Sequence, residues 1–246
     1  MEYKNSPYTE IPEELRNGYS MDGRIPIVKV WRDDSHALAQ QMWDDEYVDS
    51  FKNRFTIENI NNGTQGREPY AGAAKLLLTA FQKYDISGKN IAVLGSTTPW
   101  VETILLNLGN TVKTIEYNVP TSTVKDLTTQ SYWDFLSGDD KFDYIVSYSS
   151  IEHAGLGRYG DPLNPNEDLK AMETIRKHLS DDGLLFWGCP VGSDTTFWNI
   201  HRQYGRIRLP LLFSGLEDIE WFGGDKEQLL TGNSGEQPVV VLKHKK

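Results

Sequence analysis

The run FDYIVSYSSIEHAGLGRYGDP, residues 142–162, carries the densest chemistry in the chain. Its apolar start, residues 144–148, reads as a buried strand that breaks into a loop bearing Ser149, Ser150, Glu152, His153, Arg158, Tyr159 and Asp161. Ligands of open α/β sheets sit beyond the carboxyl ends of the strands. A strand ending in hydroxyls, a carboxylate and an imidazole therefore stands where a reaction can occur. His153 is the first candidate for a general base, because an unperturbed imidazole titrates near pH 6.5. A positioned base speeds proton removal from a hydroxyl by about 10²–10⁴-fold. Glu152 can orient that imidazole or line the pocket, and Asp161 either joins the reaction or sets the turn before Pro162. Arg158 and Tyr159 point to a polar substrate, although Arg158 can equally pin its loop by hydrogen bonds.

A second constellation lies upstream. The apolar stretch 90–94 runs into Gly95-Ser96-Thr97-Thr98-Pro99. Thr98 can cap a helix over 99–108, with Pro99 at its first position and Gly109 as its stop. Gly95 lets the backbone approach a ligand closely. The next strand, 112–116, ends in Glu116, 21 residues after Gly95, and an acidic group at about that distance suits ribose hydroxyls. Ser96, Thr97 and Ser149 extend the polar rim. Tyr117 or Trp133 can stack on a base, and Asp134 can meet an amino group. The plain alternatives are a solvated strand end for Glu116 and core packing for the aromatics.

The long connection 191–215 holds Phe197, Trp198, His201, Arg202, Tyr204, Arg206 and Arg208. Connections of that length are commonly functional or mobile. Trp198 and Arg202 can wall a substrate, His201 is an alternative base, and aromatics with arginines suit a sugar or a hydroxylated anion. Alternatively, residues 209–213 form a packing helix with Trp198 in the core. Asp161, Asp168, His153 and His201 could hold a divalent metal, but no compact ligand spacing supports one, and none is assigned.

The elements that position these residues follow from patterning. Strands are expected at 90–94, 112–116, 144–148, 184–189, 219–222 and 239–242, and helices at 71–84, 99–108, 121–130 and 167–179. Continuous apolar strands alternating with helices imply a mainly parallel sheet covered on both faces. The last two strands, with no helix evident between them, suit an antiparallel hairpin. Residues 1–30 read as irregular, 35–56 as a helix capped by Ser35, and 58–68 as a loop. The helical stripe comprises Leu38, Met42, Trp43, Tyr47, Phe51 and Phe55. This divides the chain into an extension and helical cap, 1–68, and an α/β domain, 69–246. The net charge of −10 (25 Lys+Arg against 35 Asp+Glu) argues against a dedicated nucleic-acid binder. The single cysteine, Cys189, excludes an intrachain disulfide. With neither a signal-peptide core nor an apolar run of about 18 residues, a cytoplasmic protein without a membrane partner is expected.

FDYIVSYSSIEH and LKAMETIRKHLSDDGLLFWGCP resemble the fourth strand, following helix and fifth strand of class I S-adenosylmethionine (SAM)-dependent methyltransferases, over roughly residues 88–192. The resemblance implies a Rossmann-like seven-stranded sheet, SAM as cofactor and methyl transfer. It also implies that Gly95, Ser96, Thr97, Glu116, Tyr117, Trp133, Asp134 and Ser149 meet the cofactor. The family's Asp/Glu-x-Gly-x-Gly-x-Gly string survives only at Gly95, with Val93, Thr97 and Pro99 in its other places. SSIEHAGLGRYGDPLNPNEDLKAM and CPVGSDTTFWNIHRQYGRIRLPLLFSG are similar to an uncharacterised methyltransferase-like family that supplies no reaction. The expected activity is O-methylation of a hydroxyl on a carbohydrate or similar small-molecule or glycan acceptor. Two alternatives stand beside it: a non-catalytic Rossmann-like binding module, and a metal-dependent enzyme on the same scaffold. A redox dinucleotide enzyme is disfavoured, since G-x-G-x-x-G is absent.

Overall fold

A computed structural model of the chain describes residues 8–35, 41–232 and 235–246. Seven strands form the central sheet: β1 (Asn90–Leu94), β2 (Thr111–Glu116), β3 (Leu127–Ser131), β4 (Phe142–Tyr148), β5 (Leu179–Gly188), β6 (Leu216–Phe222) and β7 (Val239–His244), in the order β3-β2-β1-β4-β5-β7-β6. The first five are parallel, and β7 runs antiparallel to both its neighbours. This is the expected α/β architecture, with the last two strands antiparallel to each other and β7 the one reversed strand of the sheet.

The period-2 alternation of β1 explains the two-sided core. Ile91 and Val93 face one apolar layer, with Leu77, Phe81 and Ile104. Ala92 and Leu94 face the other, with Ile145, Met172 and Ile175. Helices Ala73–Lys83 and Trp100–Asn107 supply the first layer, and Glu167–His178 the second. Burial on both faces is why β1, β4 and β5 read as continuous apolar runs.

Several local expectations are corrected. The helix expected over 35–56 is the shorter Asp45–Arg54, because the Asp44 carboxylate accepts the Tyr47 N–H and starts it there. The N–H and hydroxyl of Ser35 both go to Asp33, and the residues it was expected to cap, 36–40, lie outside the described residues. Trp43 lies instead in the short strand Met42–Trp43, paired with Thr121–Ser122, and Leu38 is outside the described residues. The loop expected after residue 57 begins as a helix, Ile57–Asn62, capped by the Thr56 hydroxyl. Residues 121–130 are not helical: β-branched Thr128 and Thr129 belong to edge strand β3. Pro99 takes the N-cap place, so the helix after β1 starts at Trp100. The strand expected at 184–189 starts earlier, at Leu179, and takes in residues 180–183 as part of β5, and a helix, Lys226–Thr231, separates β6 from β7. The first thirty residues hold the helix Glu13–Tyr19 and the strand Ile27–Lys29. That strand pairs with Thr195–Trp198, which also pairs with His201–Gln203.

A buried ion network anchors that insertion. Asp168 has no exposed surface and receives the Arg208 guanidinium at 2.6 and 2.8 Å, the Tyr204 hydroxyl at 3.1 Å and the Arg202 guanidinium at 3.6 Å. Burial alone pushes its pKa up; the two guanidiniums outweigh this and hold the carboxyl below its usual range. Arg202 also donates to the carbonyls of Ala154 (2.6 Å) and Pro165 (3.2 Å), fastening the loop after β4. Removing one partner of such a group strands the others' charge, at about 3–5 kcal/mol. Asp168→Ala should lose stability of that order in urea unfolding. A wild-type midpoint would show that the network does not hold the insertion.

Candidate active site

A cleft of about 320 Å³ opens at the carboxyl ends of β1, β2 and β4. Gly95 and Thr97 come from the turn after β1, and Glu116, Tyr117 and Asn118 from the end of β2. Tyr132 and Trp133 open the helix after β3, and the loop after β4 contributes Ser149, Ser150, His153, Tyr159 and Asp161.

Glu116 accepts the N–H of Tyr117 at 2.7 Å, and the N–H groups of Ser96 and Asn118 also face its carboxyl. Burial outweighs these donors and pushes its pKa up to about 7. Tyr117 stacks on Tyr132 at 4.7 Å, and Trp133 stands edge-on to Tyr117 with half its surface exposed at the rim. Asp134 is directed elsewhere: its N–H and its carboxylate both bond the Ser131 hydroxyl, making a helix cap. Ser96 is buried behind the turn and does not line the main cleft.

Gly95 has φ +78°, and a Cβ built on it would lie 1.9 Å from the Ser150 hydroxyl oxygen. The space on the Cβ side of this glycine is thus taken by Ser150, while Gly95 itself still lines the cleft. Ser149 holds φ +52°, rare for a residue with a side chain. Its hydroxyl donates to Glu152 Oε1 at 2.7 Å and accepts from Gln237 Nε2 at 3.2 Å, with the Tyr70 hydroxyl also in contact. That fills its hydrogen-bonding capacity.

Glu152 is fully buried and lines no part of the cleft. Its second oxygen accepts from Cys189 Sγ at 3.0 Å, and burial with this carboxylate pushes the thiol well up. His153 reaches the cleft. Its Nδ1 lies 2.6 Å from the Ile200 carbonyl, which can only accept, so Nδ1 carries the proton. Nε2 is left as the basic nitrogen, 3.5 Å from Glu152 Oε1. His201 is not in the cleft; it packs on Phe197 at 4.9 Å, and burial lowers its pKa.

Tyr159 lies edge-on to His153 at 5.6 Å, and burial pushes its phenol up to about 12. Asp161 accepts the N–H groups of Gly157 and Tyr159 at 3.2 and 3.3 Å, shaping the glycine loop from inside the cleft wall, while burial raises its pKa. Arg158 is paired with Asp34 at 2.8 Å. Trp198 is buried against Tyr19 and donates to the Tyr8 carbonyl, and Arg202 belongs to the Asp168 network. Trp198 and Arg202 therefore form no substrate wall. Among the described residues no group of three or more His, Cys, Asp or Glu side chains could hold a metal ion.

Sequence reading passed over Glu102, Asn118, Tyr70 and Gln237. The signal for Glu102 was there: one carboxylate flanked by Trp100, Val101, Ile104 and Leu105 in a helix too apolar to be surface. Tyr70 and Gln237 lie far from residue 149 in sequence and carry no local signature.

Residues 88–240 match the model of a family described as "Caenorhabditis protein of unknown function, DUF268". The chain belongs to this DUF268 family. No protein with a curated description matches it. Its fold is similar to that of Burkholderia thailandensis 1,6-didemethyltoxoflavin-N1-methyltransferase, solved with 1,6-didemethyltoxoflavin and S-adenosylhomocysteine, at TM-score 0.54 and 11% identity over 85% of this chain and 93% of that one. It is also similar to the PH0226 protein of Pyrococcus horikoshii OT3, at TM-score 0.51 and 14% identity over 73% and 93%. The DUF268 chain therefore has the Rossmann-like fold of a methyltransferase, and no helix among its described residues is long and apolar enough to cross a membrane.

The Gly95–Ser150 contact makes a direct test of how the turn is built. Gly95→Ala should destabilise by about 2–4 kcal/mol, combining left-handed strain with overpacking. Adding Ser150→Gly should return the overpacking share and leave about 1–2 kcal/mol. Equal losses in the single and double variants, by chemical denaturation, would show that Ser150 does not set the requirement for glycine.

Proposed function

We propose that this DUF268 protein is a SAM-dependent O-methyltransferase acting on a hydroxyl of a carbohydrate or similar polar small molecule. The observation that carries this reading is the cleft itself: the Glu116 carboxylate at the end of β2, the rings of Tyr117, Tyr132 and Trp133, and the fixed imidazole of His153 line one space. Its volume falls within the roughly 300–1,000 Å³ of small-molecule sites.

The residues present fit the cofactor. Glu116 would hold the ribose hydroxyls, Tyr117 and Trp133 would flank the base, and the turn at Gly95 and Thr97 would meet the amino-acid end. SAM supplies an electrophilic methyl on a sulfonium, a cation suited to walls that carry Glu116 and Asp161. The amino group of the base finds no carboxylate at Asp134, which is engaged in its cap.

On the acceptor side, His153 Nε2 would take the hydroxyl proton. Nδ1 is held by the Ile200 carbonyl, and the Glu152 carboxylate beside Nε2 would stabilise the imidazolium that results. Tyr159 would offer a ring face to the acceptor. The arginines that suggested an anionic substrate are engaged elsewhere: Arg158 with Asp34, Arg202 and Arg208 with Asp168, and Arg206 with Glu227. That distribution favours an uncharged acceptor.

Calorimetry with S-adenosylhomocysteine (SAH) should show binding to the wild type. Hydrogen bonds to a charged group are worth about 1.5–3 kcal/mol, so Glu116→Ala should weaken binding by roughly 10–100-fold. No binding to the wild-type protein would end the proposal. His153→Ala should retain SAH affinity and lose about 10²–10⁴-fold in methyl transfer; wild-type turnover in that variant would remove His153 as the base.

A further inference from the structure

Residues 28–33 are exposed, yet from Val30 to Asp34 the backbone is bonded at every second residue. The Val30 N–H goes to the Trp198 carbonyl at 2.9 Å, and the Asp34 N–H to the Arg158 carbonyl at 3.0 Å. Between them the Arg32 N–H donates to Asn199 Oδ1 at 2.8 Å, and Asn199 Nδ2 donates back to the Arg32 carbonyl at 2.9 Å. Asn199 has no exposed surface. Residues 30–34 therefore run as a strap from the hairpin of Thr195–Trp198 and His201–Gln203 to the glycine loop after β4.

The far end of the strap carries an ion pair. Arg158 Nε and Nη2 both stand 2.8 Å from Asp34 Oδ2, and Arg32 Nε is 2.9 Å from Asp34 Oδ1. The Asp34 and Arg158 side chains are each only 12% exposed, unlike the surface pairs that contribute little. The same guanidinium lies over the Tyr159 ring at 4.9 Å and donates to the Ile200 carbonyl at 3.4 Å. That carbonyl also holds His153 Nδ1, and its two lone pairs can serve both donors.

We propose that residues 30–34 belong to the acceptor side of the cleft, with Asp34, Arg158 and Asn199 as positioning residues that hold the Ile200 carbonyl and the Tyr159 ring against His153. This rests on the reading of the cleft as a methyl-transfer site with His153 as its base. The glycine loop explains the need for such a hold. Gly155, Gly157 and Gly160 all have positive φ, and a loop with that many glycines loses much freedom when it is ordered. The Tyr19 hydroxyl fixes its start through the Gly155 carbonyl, and Asp34 fixes its middle. An exposed strap buries too little apolar surface to hold itself in place, so its bonds must do so. Nε2 stays the basic nitrogen only while Nδ1 keeps its proton on Ile200.

A second imidazole supplies the control. His178 Nδ1 is bonded to the Asp140 carbonyl at 2.7 Å, near the opposite end of β4 and away from the strap. The experiment is nitrogen-15 NMR of the full, ligand-free chain near pH 8, where an ordinary histidine is neutral, measuring solvent exchange of both Nδ1 protons. Asp34→Ala and Arg158→Ala should each speed exchange at His153 by roughly five- to tenfold, the scale of one lost hydrogen bond, and leave His178 unchanged. Both act through one contact, so the double variant should add little. Asp34→Asn, which keeps the shape and removes the charge, should act in the same direction and serves if the alanine variants fold poorly.

Unchanged exchange at His153 in a folded variant overturns the proposal. An equal rise at His178 also overturns it, since that is general loosening rather than a local hold. SAH calorimetry on the wild type separates the two readings. Wild-type protein that binds no SAH would sink the cofactor site, and exchange in the ligand-free chain would still decide for or against the strap.

Discussion

A buried carboxylate at the end of β4 sets the terms for the surrounding site. Glu152 has no exposed surface, and a carboxylate withdrawn from water must find donors close at hand. Ser149 supplies one from a left-handed backbone, Cys189 supplies another from the end of β5, and the His153 imidazole stands beside the first oxygen. Gln237 and Tyr70 complete the shell through Ser149, so elements from three distant parts of the chain meet at one strand end. Backbone strain at Ser149 is the kind of local cost that functional sites carry. Its result is an imidazole at the cleft wall with one nitrogen fixed by the Ile200 carbonyl and the other beside the Glu152 carboxylate.

The same demand for paired charges decides what the cleft presents to a ligand. Asp168 collects Arg202 and Arg208 in the interior, and Asp34 ties Arg158 to the N-terminal segment. The sequence-neighbouring arginines thus become structural cement, while Glu116, Asp161 and His153 keep their places on the cleft wall. A cationic cofactor with an uncharged acceptor fits that distribution better than a phosphate-bearing one.

The sheet was legible because its strands are buried on both faces, so NIAVL, YIVSY and LLFWG stand out as apolar runs whatever their neighbours do. Residues 121–130 misled because an edge strand such as LTTQS is half exposed and carries no such signature. The helix start at Asp45 turned on a single side-chain cap, which spacing alone does not rank against Ser35. In the site, Glu116 and His153 could be placed from their positions at strand ends. Trp198, Arg202 and Asp134 could not, because their partners (Tyr19, Asp168 and Ser131) reveal their roles only once the fold brings them together or a cap forms. Gly95 stood out as a special backbone position, and its left-handed φ bears that out; the crowding by Ser150, 55 residues along the chain, had no local signature.

The most direct test is a crystal structure of the protein grown with SAH. The ribose hydroxyls should lie on the Glu116 carboxylate, the base between Tyr117 and Trp133, and the sulfur facing His153. A nucleoside bound away from Glu116, or a cleft closed by protein side chains in crystals saturated with SAH, would contradict it.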